Sequence, residues 1–248
     1  MTQRRRFLTA EWHYLAMLNY EIDPAILKPH VPAGTELDLW QGRTFASMVG
    51  FLFLKTKLLG VPIPFHQNFE EVNLRFYVRY KSAEGWRRGV VFIKEIVPRF
   101  AIAAVAQTVY GENYVALPMR HTIEREGQTL QTNGTVEYGW RFEKEWNFLK
   151  VQVAGEPTLL AADSEEAFIT EHYWGYASQR NEKTVEYEVE HPSWRVWQTS
   201  QAHLYCNVAE LYGPEFVESL SGTPSSAFLA EGSDITVYQG NVLTGKSS

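Results

Sequence analysis

Hydrophobic and polar residues alternate along much of this chain with a period of two, which is typical of β-strands. The clearest case lies between residues 71 and 80, where Val72, Leu74 and Phe76 alternate with polar neighbours. A turn at 84–88 and a return strand at 90–97 follow. The pattern therefore predicts an antiparallel hairpin in the first half of the chain.

The same signals predict further short elements. Strands are predicted at 37–40 and 44–54 as a hairpin around 41–43, at 135–142 and 146–153 as a second hairpin, and at 184–190, 195–206 and 235–238. Helices are predicted where a capping residue or a proline precedes an apolar run. Such helices are expected at 24–27 after Asp23, at 99–110 after Pro98, at 163–172 from the pair Asp163 and Glu166, and at 214–220.

Strands and turns thus dominate the predicted organisation. This rhythm predicts a mainly β (α+β) fold, a closed antiparallel β-barrel with a few short helices packed outside. The chain shows no internal repeat, low-complexity segment or linker, so residues 1–248 are predicted to form one domain.

Composition and charge narrow the function classes. Hydrophobic residues make up 45% of the chain and charged residues 21%, which is typical of a globular protein. The net charge of −6 argues against a nucleic-acid partner, because phosphate binding needs a concentrated positive surface. Cys206 is the single cysteine, so no intrachain disulfide can form and a reducing compartment is expected.

The N-terminal region lacks the continuous apolar segment of an export signal. Arg4, Arg5 and Arg6 are followed by Glu11 and His13, which break any continuous apolar core. The uncharged run at 44–54 is too short to cross a bilayer as a helix. We therefore expect a cytoplasmic protein with no membrane partner, and the sequence leaves homo-oligomer formation open.

Six segments carry a resemblance to a known family, and the resemblance extends from about residue 12 to residue 240. They are 71–78, 88–95, 110–119, 171–176, 191–194 and 230–233. These segments resemble the YqjF-like family of uncharacterised proteins, a branch of the acetoacetate decarboxylase-like superfamily. The resemblance implies a cone-like antiparallel barrel with a small interior pocket.

The resemblance also implies a missing nucleophile. In the decarboxylase a Phe-Pro-Lys-Lys run supplies the lysine that forms a Schiff base with the substrate ketone. Laid over that run, this sequence has Met119 and Arg120 in place of the two lysines. A thioether cannot form an imine, so we expect no Schiff-base decarboxylase activity.

The polar side of the strand at 71–80 is the first candidate site. It has two interpretations, a solvent-facing side of a half-exposed strand or a polar wall of the barrel pocket. Glu71 matches an acidic position of the family, and Arg75 lies on the same side. We therefore place Glu71 and Arg75 in the candidate ligand-binding set, together with residues near 117–120.

Four further residues complete that set. Lys94 stands in an apolar strand, where it is either part of a buried ion pair or a relocated amine nucleophile. Arg120 and Arg141 can bind a carboxylate through two hydrogen bonds, although Arg141 can equally face solvent. His172, near a helix end, is either an acid–base residue or a packing residue.

Other chemistries lack their sequence signals. The seven histidines have no metal-ligand spacing, and no His-Glu-x-x-His, Gly-x-Ser-x-Gly, Gly-x-Gly-x-x-Gly or Walker-type segment occurs. We therefore expect no metal and no cofactor.

Two functions remain open. The first is a barrel that binds a small anionic or carbonyl-containing molecule. The second is an enzyme that uses the same pocket for acid–base or electrostatic catalysis on a keto acid or enolisable substrate. Fold alone does not choose between them, and the absent lysine favours the first.

Overall fold

Strands form most of the architecture of this computed structural model, which describes residues 4–98, 113–127, 129–179 and 181–243. In chain order the strands are β1 Arg6–Glu21, β2 Thr35–Leu37, β3 Phe45–Leu58, β4 Val61–Pro62, β5 Phe69–Ser82, β6 Gly85–Val97, β7 Tyr114–Ala116, β8 Met119–Ile123, β9 Arg125–Glu126, β10 Thr129–Leu130, β11 Thr135–Phe142, β12 Glu145–Leu159, β13 Trp174–Ser178, β14 Thr184–Glu190, β15 Arg195–Tyr205, β16 Ser226–Tyr238 and β17 Asn241–Val242. The helices are α1 Pro24–Leu27, α2 Glu165–Thr170, α3 Val208–Leu211 and α4 Val217–Leu220, with 3₁₀ turns at Lys28–His30 and Pro214–Phe216.

Seven of these strands close into a barrel. Their order is β14, β13, β6, β5, β3, β1 and β16, and β16 pairs back with β14. The pairings are antiparallel except for the short contact of β13 with β6. The closing seam is short, with Val189 opposite Val237 and Glu190 opposite Thr236. The predicted barrel with a few short helices is confirmed.

The sheet continues beyond the barrel through β15, β12, β11 and β8. These strands and the helices α3 and α4 pack over the outer face of the barrel. The outer apolar layer includes Leu74 and Phe76 of β5 and Trp140 of β11, all fully buried. A second apolar cluster fills part of the barrel interior. Because both faces of the barrel strands are covered, polar residues on the inner face of β5 are buried as well.

A β-bulge in β6 decides which side chains enter the barrel. Asn73 of β5 lies opposite Glu95, and Arg75 lies opposite Phe92, so three residues of β6 span the distance of two on β5. The extra residue reverses the order in which the side chains of β6 point into and out of the barrel beyond this position. As a result, Phe92 and Glu95 face the interior, whereas Lys94 faces the outer layer with Leu74.

The short helices are set by their caps. Asp23 accepts a hydrogen bond from the Ala25 amide at 2.8 Å and begins α1, as predicted. The helix predicted at 163–172 is shorter, because Ser164 rather than Asp163 caps it through the Ala167 amide. Buried Phe168 of that helix packs into the interior cluster.

Two other predictions and one unpredicted strand differ in their outcome. The turn predicted at 41–43 is present as a single bridge between Trp40 and Arg43. The strand pairing predicted around it is wrong, because β3 has β1 and β5 on its two edges and β2 pairs with β5 instead. The long strand β1 was not predicted at all. The helix predicted at 99–110 lies outside the described residues.

Within the described ranges, no helix is both long enough and apolar enough to cross a membrane.

Candidate functional site

A cavity of about 240 Å³ lies inside the barrel, and all seven barrel strands contribute to its wall. Ligand pockets in proteins commonly measure about 300–1,000 Å³, so this volume suits a small molecule rather than a dinucleotide. Its described lining comprises Phe7, Leu8, Trp12, Leu15, Phe51, Phe53, Thr56, Leu58, Ile63, His66, Phe69, Glu71, Asn73, Arg75, Val90, Phe92, Glu95, Tyr114, Thr170, His172, Trp174, Tyr187, Val189, His191, Trp194 and Val237.

Aromatic rings form most of the apolar wall. Trp12 meets Phe51 edge to face with centroids 5.3 Å apart, and Phe53 stacks on Phe69 at 4.7 Å. The Trp194 indole Nε1 donates a hydrogen bond to the Ser233 hydroxyl at 2.8 Å, which leaves its ring against the cavity. Such rings suit an apolar or planar ligand body.

Two acidic residues stand among these rings. Glu71 is 3% exposed and Glu95 is 1% exposed. The Asn73 amide donates a hydrogen bond to the Glu71 carboxylate at 3.0 Å, and both glutamates make further interactions of their own. Buried carboxylates of this kind need partners to remain in a low-dielectric site, and these two already have them.

Arg75 differs from the glutamates, because no carboxylate among the described residues lies within ion-pair distance of its guanidinium. Its Nη2 lies 3.5 Å from the carbonyl oxygen of Ile169 and 4.0 Å from the sulfur of Met17. Its Nε is buried without a hydrogen-bond acceptor in the described structure. Its Cζ lies 5.8 Å from the centre of the Tyr77 ring. A half-buried cation with such weak partners can accept an anionic ligand.

His172 follows α2 and lines the same cavity. Its side chain is 1% exposed, and its ring lies 4.6 Å from the Tyr77 ring and edge to face with Phe168 at 5.3 Å. Burial lowers the pKa of His172 to about 4, and it outweighs the opposing effect of Asp38. The imidazole is therefore neutral at pH 7.

Asp38 lies behind His172, on the side away from the cavity. Its Oδ2 is 3.4 Å from His172 Nε2 and accepts a hydrogen bond from Arg88 Nε at 2.6 Å. Although burial opposes it, the adjacent His172 ring and the Arg88 guanidinium lower the pKa of Asp38. The side chain of Asp38 is therefore an ionised carboxylate next to a neutral imidazole.

A second histidine, His191, also lines the cavity. Its ring stacks on Trp194 with centroids 4.1 Å apart and lies 4.7 Å from the Tyr173 ring. Burial lowers the pKa of His191. Its role in packing is evident from these contacts.

The structure places three of the six candidate residues in this cavity, namely Glu71, Arg75 and His172. The sequence analysis expected all six residues in one pocket, but Lys94, Arg120 and Arg141 do not line this cavity. Lys94 donates a hydrogen bond to the Leu211 carbonyl in the outer layer, since the β6 bulge turns it outward, and burial lowers its pKa.

Arg120 and Arg141 lie on β8 and β11 of the outer sheet, and both are exposed. The Arg120 guanidinium lies 4.2 Å from the Trp146 ring centre. Met119 also belongs to the outer layer, so the segment at 117–120 does not line the cavity as expected. The reason is topological, because β8 pairs with β11 and not with a barrel strand.

Sequence reasoning left three residues of the site out of the candidate set, two that line the cavity and Asp38 behind it. Asn73 shares the alternation of Glu71 and Arg75, so that signal was available. Glu95 could be predicted only if the position of the β6 bulge were known. Asp38 could be predicted only from the three-dimensional fold, because it lies far from His172 in sequence.

Comparison with known proteins places the chain among uncharacterised relatives. A profile of the DUF2071 family, described as an uncharacterized conserved protein, matches residues 9–234. The uncharacterized protein YqjF of Bacillus subtilis (strain 168) is 26% identical over 211 residues, which are 84% of this chain and 82% of that protein. This agrees with the family resemblance seen in the sequence.

Two solved structures show the fold. The enduracididine biosynthesis enzyme MppR, complexed with pyruvate, has a TM-score of 0.68 and 14% identity, covering 100% of this chain and 93% of its own. Acetoacetate decarboxylase from Legionella pneumophila subsp. pneumophila str. Philadelphia 1 has a TM-score of 0.65 and 12% identity, covering 98% of this chain and 89% of its own. The acetoacetate decarboxylase-like fold is therefore confirmed.

Proposed function

The chain belongs to the DUF2071 family of uncharacterized conserved proteins, and we propose that it binds a small molecule with a carboxylate and an apolar body in the barrel cavity. One observation carries the proposal. Arg75 presents a half-buried guanidinium to a cavity walled by aromatic rings, and no described carboxylate pairs with it.

Charge and shape support this choice of ligand. Glu71 and Glu95 already have partners, so among the described lining residues the charge of Arg75 is the one that a ligand can neutralise. A bound carboxylate would gain charge-assisted hydrogen bonds that Met17 sulfur and a long carbonyl contact do not supply. The rings of Trp12, Phe53 and their neighbours would bury the rest of the molecule.

Schiff-base chemistry is not part of the proposal. None of the described cavity-lining residues is a lysine. Residues 99–112, which are outside the described ranges, contain no lysine in their sequence, and Lys246 is the one lysine that is not described. Lys94 is the lysine with a lowered pKa, and its amine lies in the outer layer against Leu211.

An enzyme acting on a keto acid without an imine is the second candidate. Its supporting observation is the neutral, buried imidazole of His172 on the wall of the same cavity as Arg75. The structural neighbour MppR is described as complexed with pyruvate, a 2-oxo acid. At 14% identity this neighbour shares the fold, and its pyruvate complex makes 2-oxo acids suitable probes.

The binding experiment uses three matched probes with the same branched body. We expect 4-methylpentanoate and 4-methyl-2-oxopentanoate to bind, and the uncharged 4-methylpentanamide to bind much more weakly. Titration is followed by calorimetry and by tryptophan fluorescence, because Trp12, Trp174 and Trp194 line the cavity.

Arg75→Met is the decisive variant. Hydrogen bonds to charged groups contribute about 1.5–3 kcal/mol, so the variant is expected to weaken carboxylate binding by about 10- to 100-fold. Arg79→Met is the matched control, because Arg79 is on the same strand but pairs with Glu36 outside the cavity. Equal affinity for the amide and the carboxylates, or unchanged binding by Arg75→Met, would contradict the proposal.

A further inference from the structure

We infer that His172 is the base that removes a proton from the carbon beside the carbonyl of an enolisable 2-oxo acid, with Asp38 positioning its ring. The inference rests on the proposed function, because Arg75 must hold the carboxylate of that acid. It adds a reaction, the exchange of a carbon-bound proton, to what is otherwise a binding cavity.

The first support is the isolation of the imidazole. His172 is buried on the cavity wall, and neither ring nitrogen makes an aligned hydrogen bond within the described part of the chain. Buried polar atoms in proteins nearly always have a partner. Both nitrogens are covered in this structure, so a ligand in the cavity supplies that partner when the ring turns toward it on binding.

The second support is the position of Asp38. Its carboxylate is 3.4 Å from Nε2 of His172, and Arg88 fixes it on its other side at 2.6 Å. A carboxylate beside one ring nitrogen favours the tautomer in which that nitrogen carries the proton. Nδ1 then holds a free lone pair, and the geometry of the ring directs it away from Asp38. This is the arrangement of a general base with an orienting carboxylate.

The proposed step balances without a cofactor. Nδ1 takes the proton from C3 of the 2-oxo acid, and the electrons of the broken C–H bond form the C2–C3 double bond. The carbonyl oxygen receives the displaced electron pair and becomes an enolate, which the guanidinium of Arg75 stabilises together with the carboxylate. The imidazolium beside ionised Asp38 exchanges its proton with solvent and returns one to C3.

Ligand binding also makes His172 a better base. The positive charges of Arg88 and Arg75 are among the causes that lower the pKa of His172, after burial itself. A carboxylate bound to Arg75 neutralises one of these charges. The pKa of His172 therefore rises when the site is filled, toward the range in which a general base works at neutral pH.

The test follows hydrogen–deuterium exchange at C3 of 4-methyl-2-oxopentanoate by proton NMR in D₂O near neutral pD. Binding is measured separately with 3,3-dimethyl-2-oxobutanoate, which has the same head group but no proton to lose. We expect the wild-type protein to accelerate exchange about 100-fold or more over buffer, as general bases commonly do. His172→Gln should abolish the acceleration and still bind the second probe, and His203→Gln on the exposed face of β15 should behave as wild type.

Asp38→Asn provides a second variant that keeps His172. We expect it to slow exchange about 10-fold or more through the wrong tautomer while binding is retained. Nitrogen NMR of the labelled protein should show the Nε2–H form of His172 in the wild type and its loss in Asp38→Asn, which a purely structural role would not produce.

The outcomes separate the two proposals. Binding of the second probe without accelerated exchange of the first, or exchange that survives His172→Gln, overturns the inference and leaves the binding function standing. Failure of both probes to bind overturns the proposed function and the inference with it.

Discussion

The burial of His172 makes the stability of the folded protein depend on pH in a defined window. Its pKa in the folded protein is about 4, against an ordinary value of 6.5. As the pH falls, the unfolded chain binds a proton at this residue before the folded chain does. The free energy of unfolding therefore falls as the pH decreases from about 6.5 to about 4, and the contribution of His172 is fully present above that window.

The size of the effect follows from the two pKa values. One pKa unit corresponds to about 1.4 kcal/mol, so the full window corresponds to about 3 kcal/mol. Most of the change is reached before the lower limit, and linkage gives about 2 kcal/mol between pH 7 and pH 5. His172→Phe removes this contribution, while the phenyl ring keeps the contacts with Tyr77 and Phe168.

The assay is urea denaturation of wild type and His172→Phe at both pH values. The wild type should lose about 2 kcal/mol more than the variant on going from pH 7 to pH 5. Other titrating groups, including His191, contribute to both proteins and cancel in the comparison. A difference that stays constant between the two pH values would show that His172 titrates in the folded protein as it does in the unfolded chain. A wild type that gains stability relative to the variant at pH 5 would show that the folded ring is protonated.

Three further predictions concern other parts of the fold. Arg87→Met leaves the 7%-exposed Glu186 without its 2.6 Å ion-pair partner, so urea denaturation should show that the free energy of unfolding falls by about 3 kcal/mol. The control Arg195→Met removes an exposed ion pair and should lower it by less than about 1 kcal/mol. Similar losses in the two variants would contradict this prediction. Burial raises the pKa of Cys206 to about 12, so iodoacetamide at pH 8 should label it slowly in the native protein and rapidly in urea, and equal rates would contradict that burial. Incubation with acetoacetate and borohydride should leave the intact mass unchanged, whereas an adduct on Lys94 would restore imine chemistry as a possibility.

The barrel was predictable because its strands carry the signals that the sequence displays. The alternation at 71–80 and the hairpin of β11 and β12 appear where expected. The strand β1 was missed, because its polar residues, among them Glu11 and His13, obscure a two-faced strand with neighbours on both edges. Which strands are neighbours depends on contacts far apart in sequence, and no local pattern reports them.

The site was predictable in part for the same reason. Glu71 and Arg75 follow from regular alternation once a barrel is assumed. The β6 bulge cannot be read from hydrophobicity, and that single extra residue sends Lys94 outward and Glu95 inward. The pairing of His172 with Asp38 depends on α2 and β2 being brought together by the barrel, so only the three-dimensional structure reveals it.

The separation of the outer apolar layer from the cavity has a consequence for how this protein tolerates change. Leu74, Phe76 and Trp140 stabilise the barrel from outside and do not line the cavity. Substitutions on the inner wall, such as Phe92 or Val90, alter the shape of the cavity while the outer layer stays intact. If the cavity binds a ligand as proposed, a few inward-facing substitutions would change which ligand fits while the outer layer maintains the fold.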